Sequence, residues 1–143
     1  MRKAKNQAGV MLIEALIGIL IFSIGILALL GMQSSAIRNT TDARYRSEAS
    51  YLASQIVGQM WVDIKQLPSY DTANLAAYPA RDAWVTRVAT MMPGVAAGGA
   101  LSPTIQVGPT PGEVRVLVQW QQPGEVQTRQ MLILNRIHEG DGV

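Results

Sequence analysis

The sequence predicts an α+β chain: one long N-terminal helix, apolar in its first half and amphipathic in its second, packed against a small C-terminal antiparallel β-sheet. Three observations carry that reading. From Ala15 to Met32 there are 18 consecutive uncharged residues, with Ser23 as the one polar side chain. Beyond them Tyr45, Ala49, Leu52, Ala53, Ile56, Met60 and Ile64 recur at three- and four-residue steps, the stripe of an amphipathic helix. Near the C-terminus Val114, Val116, Val118 and Trp120 alternate with polar residues, the period of a half-buried strand. The length of 143 residues suits a single globular head. An apolar share of 48% and a mean hydropathy of +0.15 exclude a disordered chain, which needs few apolar residues and a strong net charge.

The elements follow in order. As a helix, residues 15–32 span roughly 27 Å at 1.5 Å per residue, close to the hydrocarbon thickness of a bilayer. A helix of a soluble core shows a polar face, and this stretch has none. A secretory signal peptide would also begin with a basic segment, but its apolar region is shorter and leaves Glu14 unexplained. An ordinary single-pass anchor fits as well, and the lysines and arginines on the two sides of the span balance, so they assign no orientation. No proline interrupts residues 10–67, so one helix of about 55 residues, roughly 80 Å long, is expected, with Pro68 as its stop. Tyr45, Met60 and Trp61 fall at helical spacing and read as core.

Turn-forming residues dominate Ser69 to Gly112. Two short helices fit inside: Thr72 to Tyr78, capped by Asp71, and Arg81 to Met92, with Trp84, Val88 and Met91 on one side. Thr104 to Val107 is a short strand. Glu113 to Gln121 is a longer one, Pro123-Gly124 makes a turn, and Val126 to Asn135 returns as the second arm of a hairpin. A hairpin alone is marginal in water, so its apolar face needs the amphipathic half of the helix as cover. The chain thus divides into a basic segment at 1–9, an apolar helix at 10–32, its amphipathic continuation at 33–65 and a globular head at 66–143.

Charge and composition narrow the function classes. The formal net charge of +2 rests on Arg2, Lys3 and Lys5; from Val10 onward nine basic residues face ten acidic ones. No basic surface suited to nucleic acid is left in the head. Cysteine is absent, which removes disulfides and thiol catalysis. His138 is the one histidine, close to the C-terminus and poorly placed for a catalytic triad. Asp63, Asp71, Asp82, Glu113, Glu125 and Glu139 show no metal-ligand spacing and read as solvated carboxylates. An enzyme is not expected, nor a cofactor or a metal.

Glu14 sits one turn inside the apolar run that starts at Val10. A charge at that depth costs on the order of 2.5 kcal/mol, unless it snorkels to headgroup level or finds a partner. Cleavage after Gly9 would supply one: the new α-amine of Val10, four residues away. The segment Gly9-Val10-Met11-Leu12-Ile13-Glu14, after a short basic leader and before Ala15-Leu16-Ile17-Gly18-Ile19-Leu20, resembles the class III leader and N-terminal helix of type IV pilins. The stretch from Phe22 to Gln33 and the later Trp84-Val85-Thr86-Arg87-Val88, Met92-Pro93-Gly94 and Val114-x-Val116-x-Val118-x-Trp120 are similar to the PilV-type minor pilins. Two positions depart from the major-pilin pattern: Val10 replaces phenylalanine, and Gly31 stands where a helix-breaking proline is common.

The resemblance implies a pilin-like fold and a set of roles. Gly9 becomes the last leader residue, cut from Val10 by a prepilin peptidase, and Val10 the N-methylated first residue. Glu14 becomes the carboxylate that docks on the amine of a neighbouring subunit. The implied partners are that peptidase, major and minor pilins met through their N-terminal helices, and the inner membrane of a Gram-negative cell, with the N-terminus cytoplasmic and the head periplasmic before passage into an extracellular pilus. The implied function is that of a minor pilin, held in the filament or its tip and priming complex and supporting twitching motility. No small-molecule substrate and no nucleic acid is expected. A minor pseudopilin of a type II secretion system shares the N-terminal pattern, and a DNA-binding competence pilin is the alternative from another class.

Overall fold

The structure is a computed structural model that describes residues 8–138. Arg2, Lys3 and Lys5 of the predicted leader, and Glu139 and Asp141, lie outside the described residues. The chain is α+β, with a long N-terminal helix, α1 (Ala8–Val62), and a three-stranded antiparallel sheet. It divides into two compact units, Met1–Ala43 and Arg44–Val143.

In the first unit the described residues are all α1. It contains the one helix among the described residues that is long and apolar enough to cross a membrane. Its most apolar stretch of 18 residues has a mean hydropathy of 2.7 and is 0% buried. Apolar surface left this bare is unfavourable in water and matches a hydrocarbon surround. Three hydroxyl side chains of this unit answer to their own backbone. Ser23 Oγ donates to the Ile19 carbonyl at 2.7 Å, and Thr40 and Thr41 donate to Ala36 and Ile37 at 2.9 Å.

In the second unit α1 presents the stripe that the sequence predicts. Ala49, Leu52, Ala53, Ile56 and Met60 are fully buried, and Val57 joins them. Opposite stand Val114, Val116, Val118 and Trp120 of β2 (Glu113–Gln121), Ile105 of β1 (Thr104–Val107), and Met131 and Ile133 of β3 (Thr128–Arg136). The order β1-β2-β3 is a meander, antiparallel throughout, with Val116 paired to both Ile105 and Ile133. The chain leaves β1 through a turn in which Gly112 takes φ +78°. There a Cβ would run into the Ile137 carbonyl, so only glycine fits.

Five expectations need correction. Pro68 does not stop the helix: α1 ends at Val62, and Pro68 lies inside a 3-10 helix, Ile64–Tyr70. A proline in an α-helix meets the carbonyl four residues earlier; the tighter turn avoids that contact while Leu67 and Tyr70 go into the core. Residues 72–78 are turns and bends, not a helix, because their carbonyls are drawn elsewhere, as described below. The helix expected at Arg81 starts earlier, as α2 (Pro79–Met91), with proline in its first turn, where a missing N–H costs nothing. Met91 is 39% exposed and Met92 takes its place in the core. Met92 has left the helix (φ −98°, ψ 132°), which turns its side chain inward. Trp61 is likewise on the surface rather than in the core, at 44% exposure.

Candidate functional site

The sequence-predicted site residues lie together at the start of α1. Gly9, Val10 and Glu14 are all helical and exposed, and Val10 and Glu14 are four residues apart on one face. The Gly9–Val10 bond falls in the first turn, where the N–H groups lack intrahelical acceptors and unwinding costs least. A Cβ at Gly9 would meet nothing within 4 Å, so the glycine answers to no packing need of the chain itself. Glu14 makes no ion pair among the described residues. A cation at a helix N-terminus is disfavoured by the helix dipole, an effect that fades before Glu14, which lies past the first turn of α1. Cleavage after Gly9 would therefore leave the Val10 amine with Glu14, its own or a neighbour's, as the available compensation.

The head holds two polar constellations that the sequence reading missed. In the first, Asp63 follows α1 directly and its carboxylate accepts the Tyr78 hydroxyl, with the Tyr70 hydroxyl 3.5 Å away. The two rings meet edge to face, centroids 4.8 Å apart. The bond to Asp63 holds the Tyr78 hydroxyl well above the ordinary phenol range, and burial adds to it. Tyr70 is pushed up chiefly by burial, with the Asp63 charge adding and the Tyr78 hydroxyl opposing. Asp63 had read as a solvated carboxylate; it is a hinge pin between α1 and the loop before α2.

In the second, the Arg81 guanidinium is buried and wrapped by the chain before α2. Nη1 donates to the carbonyls of Asn74, Asp71 and Ser69 at 2.8, 3.0 and 3.3 Å, and Nη2 to that of Ala76 at 2.8 Å. Nε binds Asp82 Oδ1 at 2.8 Å. That bond holds the Asp82 carboxyl below its usual range, opposed by desolvation and aided by the Tyr78 N–H. Carbonyls committed to Arg81 cannot serve a helix at 72–78. Asp71, expected as that helix's cap, instead accepts the Ala73 N–H at 2.7 Å and the Val107 N–H of β1 at 3.0 Å. Arginine bonds to main-chain carbonyls leave no pattern of side-chain types, so only the crowding of Pro79, Arg81 and Asp82 at one helix start hinted at this.

Both constellations are saturated by their own groups and hold the loop in place. Among the described residues no group of three or more His, Asp or Glu side chains is placed to hold a metal ion. His138 lies against Trp61, ring centroids 6.2 Å apart.

The tyrosine cluster has a measurable consequence. Each raised phenol contributes stability below the unfolded value of about 10, and that contribution is lost as the pH climbs from there toward the folded value. Asp63→Asn is expected to shift the titration of Tyr78 downward. Phenolate absorbance, with Tyr78→Phe identifying the signal, checks it; an unmoved titration would show that Asp63 is not the cause.

Compared with protein-family models, with curated proteins and with solved structures, the chain matches none.

Proposed function

We propose that this chain is a minor pilin, a structural and assembly subunit of a type IV pilus. One observation carries the reading: an exposed carboxylate, Glu14, one turn past a Gly9–Val10 bond, at the head of a bare helix apolar enough to enter a membrane. On this reading the chain is made as a prepilin in a Gram-negative inner membrane, N-terminus in the cytoplasm and head in the periplasm. A prepilin peptidase removes residues 1–9, Val10 is N-methylated, and Glu14 guides docking on other pilins. The head is a folded body with no reaction to perform. It enters the filament, or the tip complex that primes it, and so supports twitching motility.

Intact-mass measurement of the protein extracted from membranes of its native host tests the processing. The expected mass is that of residues 10–143 with a methylated amine. Retention of residues 1–9, or loss of the whole apolar helix as a signal peptidase would leave it, overturns the proposal.

A further inference from the structure

The two edges of the sheet are finished differently. β1 is four residues long, and three of the four outward backbone groups of Ile105 and Val107 are occupied. Thr72 Oγ1 accepts the Ile105 N–H at 3.2 Å, the Thr72 N–H donates to the Ile105 carbonyl at 2.9 Å, and Asp71 takes the Val107 N–H. β3 is nine residues long and pairs with β2 alone among the described strands. Beyond its end the Ile137 N–H donates to the Gly112 carbonyl at 2.7 Å. Alternate residues of an antiparallel ladder face the partner strand, so Ile137, Asn135, Ile133, Met131 and Arg129 face β2. Thr128, Gln130, Leu132 and Leu134 then turn their N–H and C=O groups to the free edge. The next outward N–H, that of Arg136, is taken by Asn135 Oδ1 at 2.7 Å. The other four have no partner among the described residues.

Proteins usually blunt such an edge with lysine, proline or a bulge. The β3 sequence TRQMLILNR contains neither residue, and its register with β2 is unbroken. On the outer face Leu132 and Leu134 are 51% and 61% exposed. The strand carries two arginines and no carboxylate. Arg129 is bonded to Glu125 at 2.6 Å, whereas Arg136 is exposed and makes no ion pair among the described residues, its cross-strand neighbour Glu113 being bonded to Arg115.

We infer that the free edge of β3 takes an extended segment of another protein as a fourth strand, one with apolar residues beside Leu132 and Leu134 and a carboxylate beside Arg136. Backbone pairing supplies attachment and the alternate side chains supply choice. A second copy is the poorer occupant, because the β3 strand it would bring carries no carboxylate to set beside Arg136. This holds whether or not the chain enters a filament.

The test uses the full chain in detergent micelles and a short fluorescein-labelled peptide of alternating valine and threonine with glutamates at its N-terminal end. Set antiparallel, that end meets Arg136. Binding is expected, and methylating alternate backbone amides of the peptide should weaken it about tenfold or more. Leu132→Pro removes an outward N–H and leaves the bonds to β2, so it should weaken binding as much. Should that variant fail to fold, Arg136→Glu decides: it should reverse the preference between glutamate-ended and lysine-ended peptides. Equal binding of the methylated peptide, or no reversal, overturns the inference. So does self-association through β3 that Leu132→Pro abolishes and the peptide cannot compete with, which would make the occupant a second copy.

Discussion

Replacing Arg81 with methionine is expected to cost the head about 3 kcal/mol or more, the scale for removing one member of a buried charged network. Methionine fills the space but offers none of the five N–H donors. The carbonyls of Ser69, Asp71, Asn74 and Ala76 lose their shared partner, and Asp82 loses its cation. The damage extends to the sheet, because Asp71 and Thr72 close the outer edge of β1 only while the loop keeps its path. Arg81→Lys should rescue little, since one ammonium cannot reach carbonyls spread around a planar fork. Denaturant unfolding of the solubilised chain, followed by tryptophan fluorescence, measures the loss. A cost below about 1 kcal/mol, the range of an exposed ion pair, would mean that the loop holds itself without Arg81.

What the sequence disclosed and what it hid divide along a physical line. The long helix, its buried stripe from Ala49 to Met60 and the inward alternation from Val114 to Trp120 were legible, because burial acts on every residue of a face and leaves a period. The Arg81 loop was hidden, because its bonds end on main-chain carbonyls that every residue carries. Pro68 misled because proline forbids a further α-turn but not a 3-10 turn. Met91 and Met92 exchanged roles because one residue past a helix end the periodicity no longer says where a side chain points. At the candidate site the sequence supplied Gly9, Val10 and Glu14 together, since all three lie within two helical turns and need no tertiary contact to be neighbours.

The free β3 edge was outside the reach of sequence reasoning for a different reason. Thr104 to Val107 and Val126 to Asn135 both read as strands, yet nothing in either run says which will lie bare. That depends on Asp71 and Thr72, far away in sequence, covering one edge and not the other.

Glu14→Gln is expected to abolish assembly while leaving the chain itself intact. A cationic Val10 amine buried among apolar helices is costly unless a carboxylate neutralises it, and an unpaired Glu14 carries the same penalty. Between neighbouring subunits each charge removes the other's cost, so both become tolerable on assembly. Within one exposed helix the same pair, at i and i+4, contributes only about 0.5 kcal/mol. Glutamine keeps the shape and removes the charge. The most direct measurement is therefore to shear pili from native-host cells making wild-type or Glu14→Gln chain and compare its abundance in the filament and membrane fractions. The account predicts equal membrane levels and equal cleavage after Gly9, with the variant missing from the filaments. Incorporation of the Glu14→Gln chain at wild-type level would contradict it and leave Glu14 a headgroup-level residue with no part in docking.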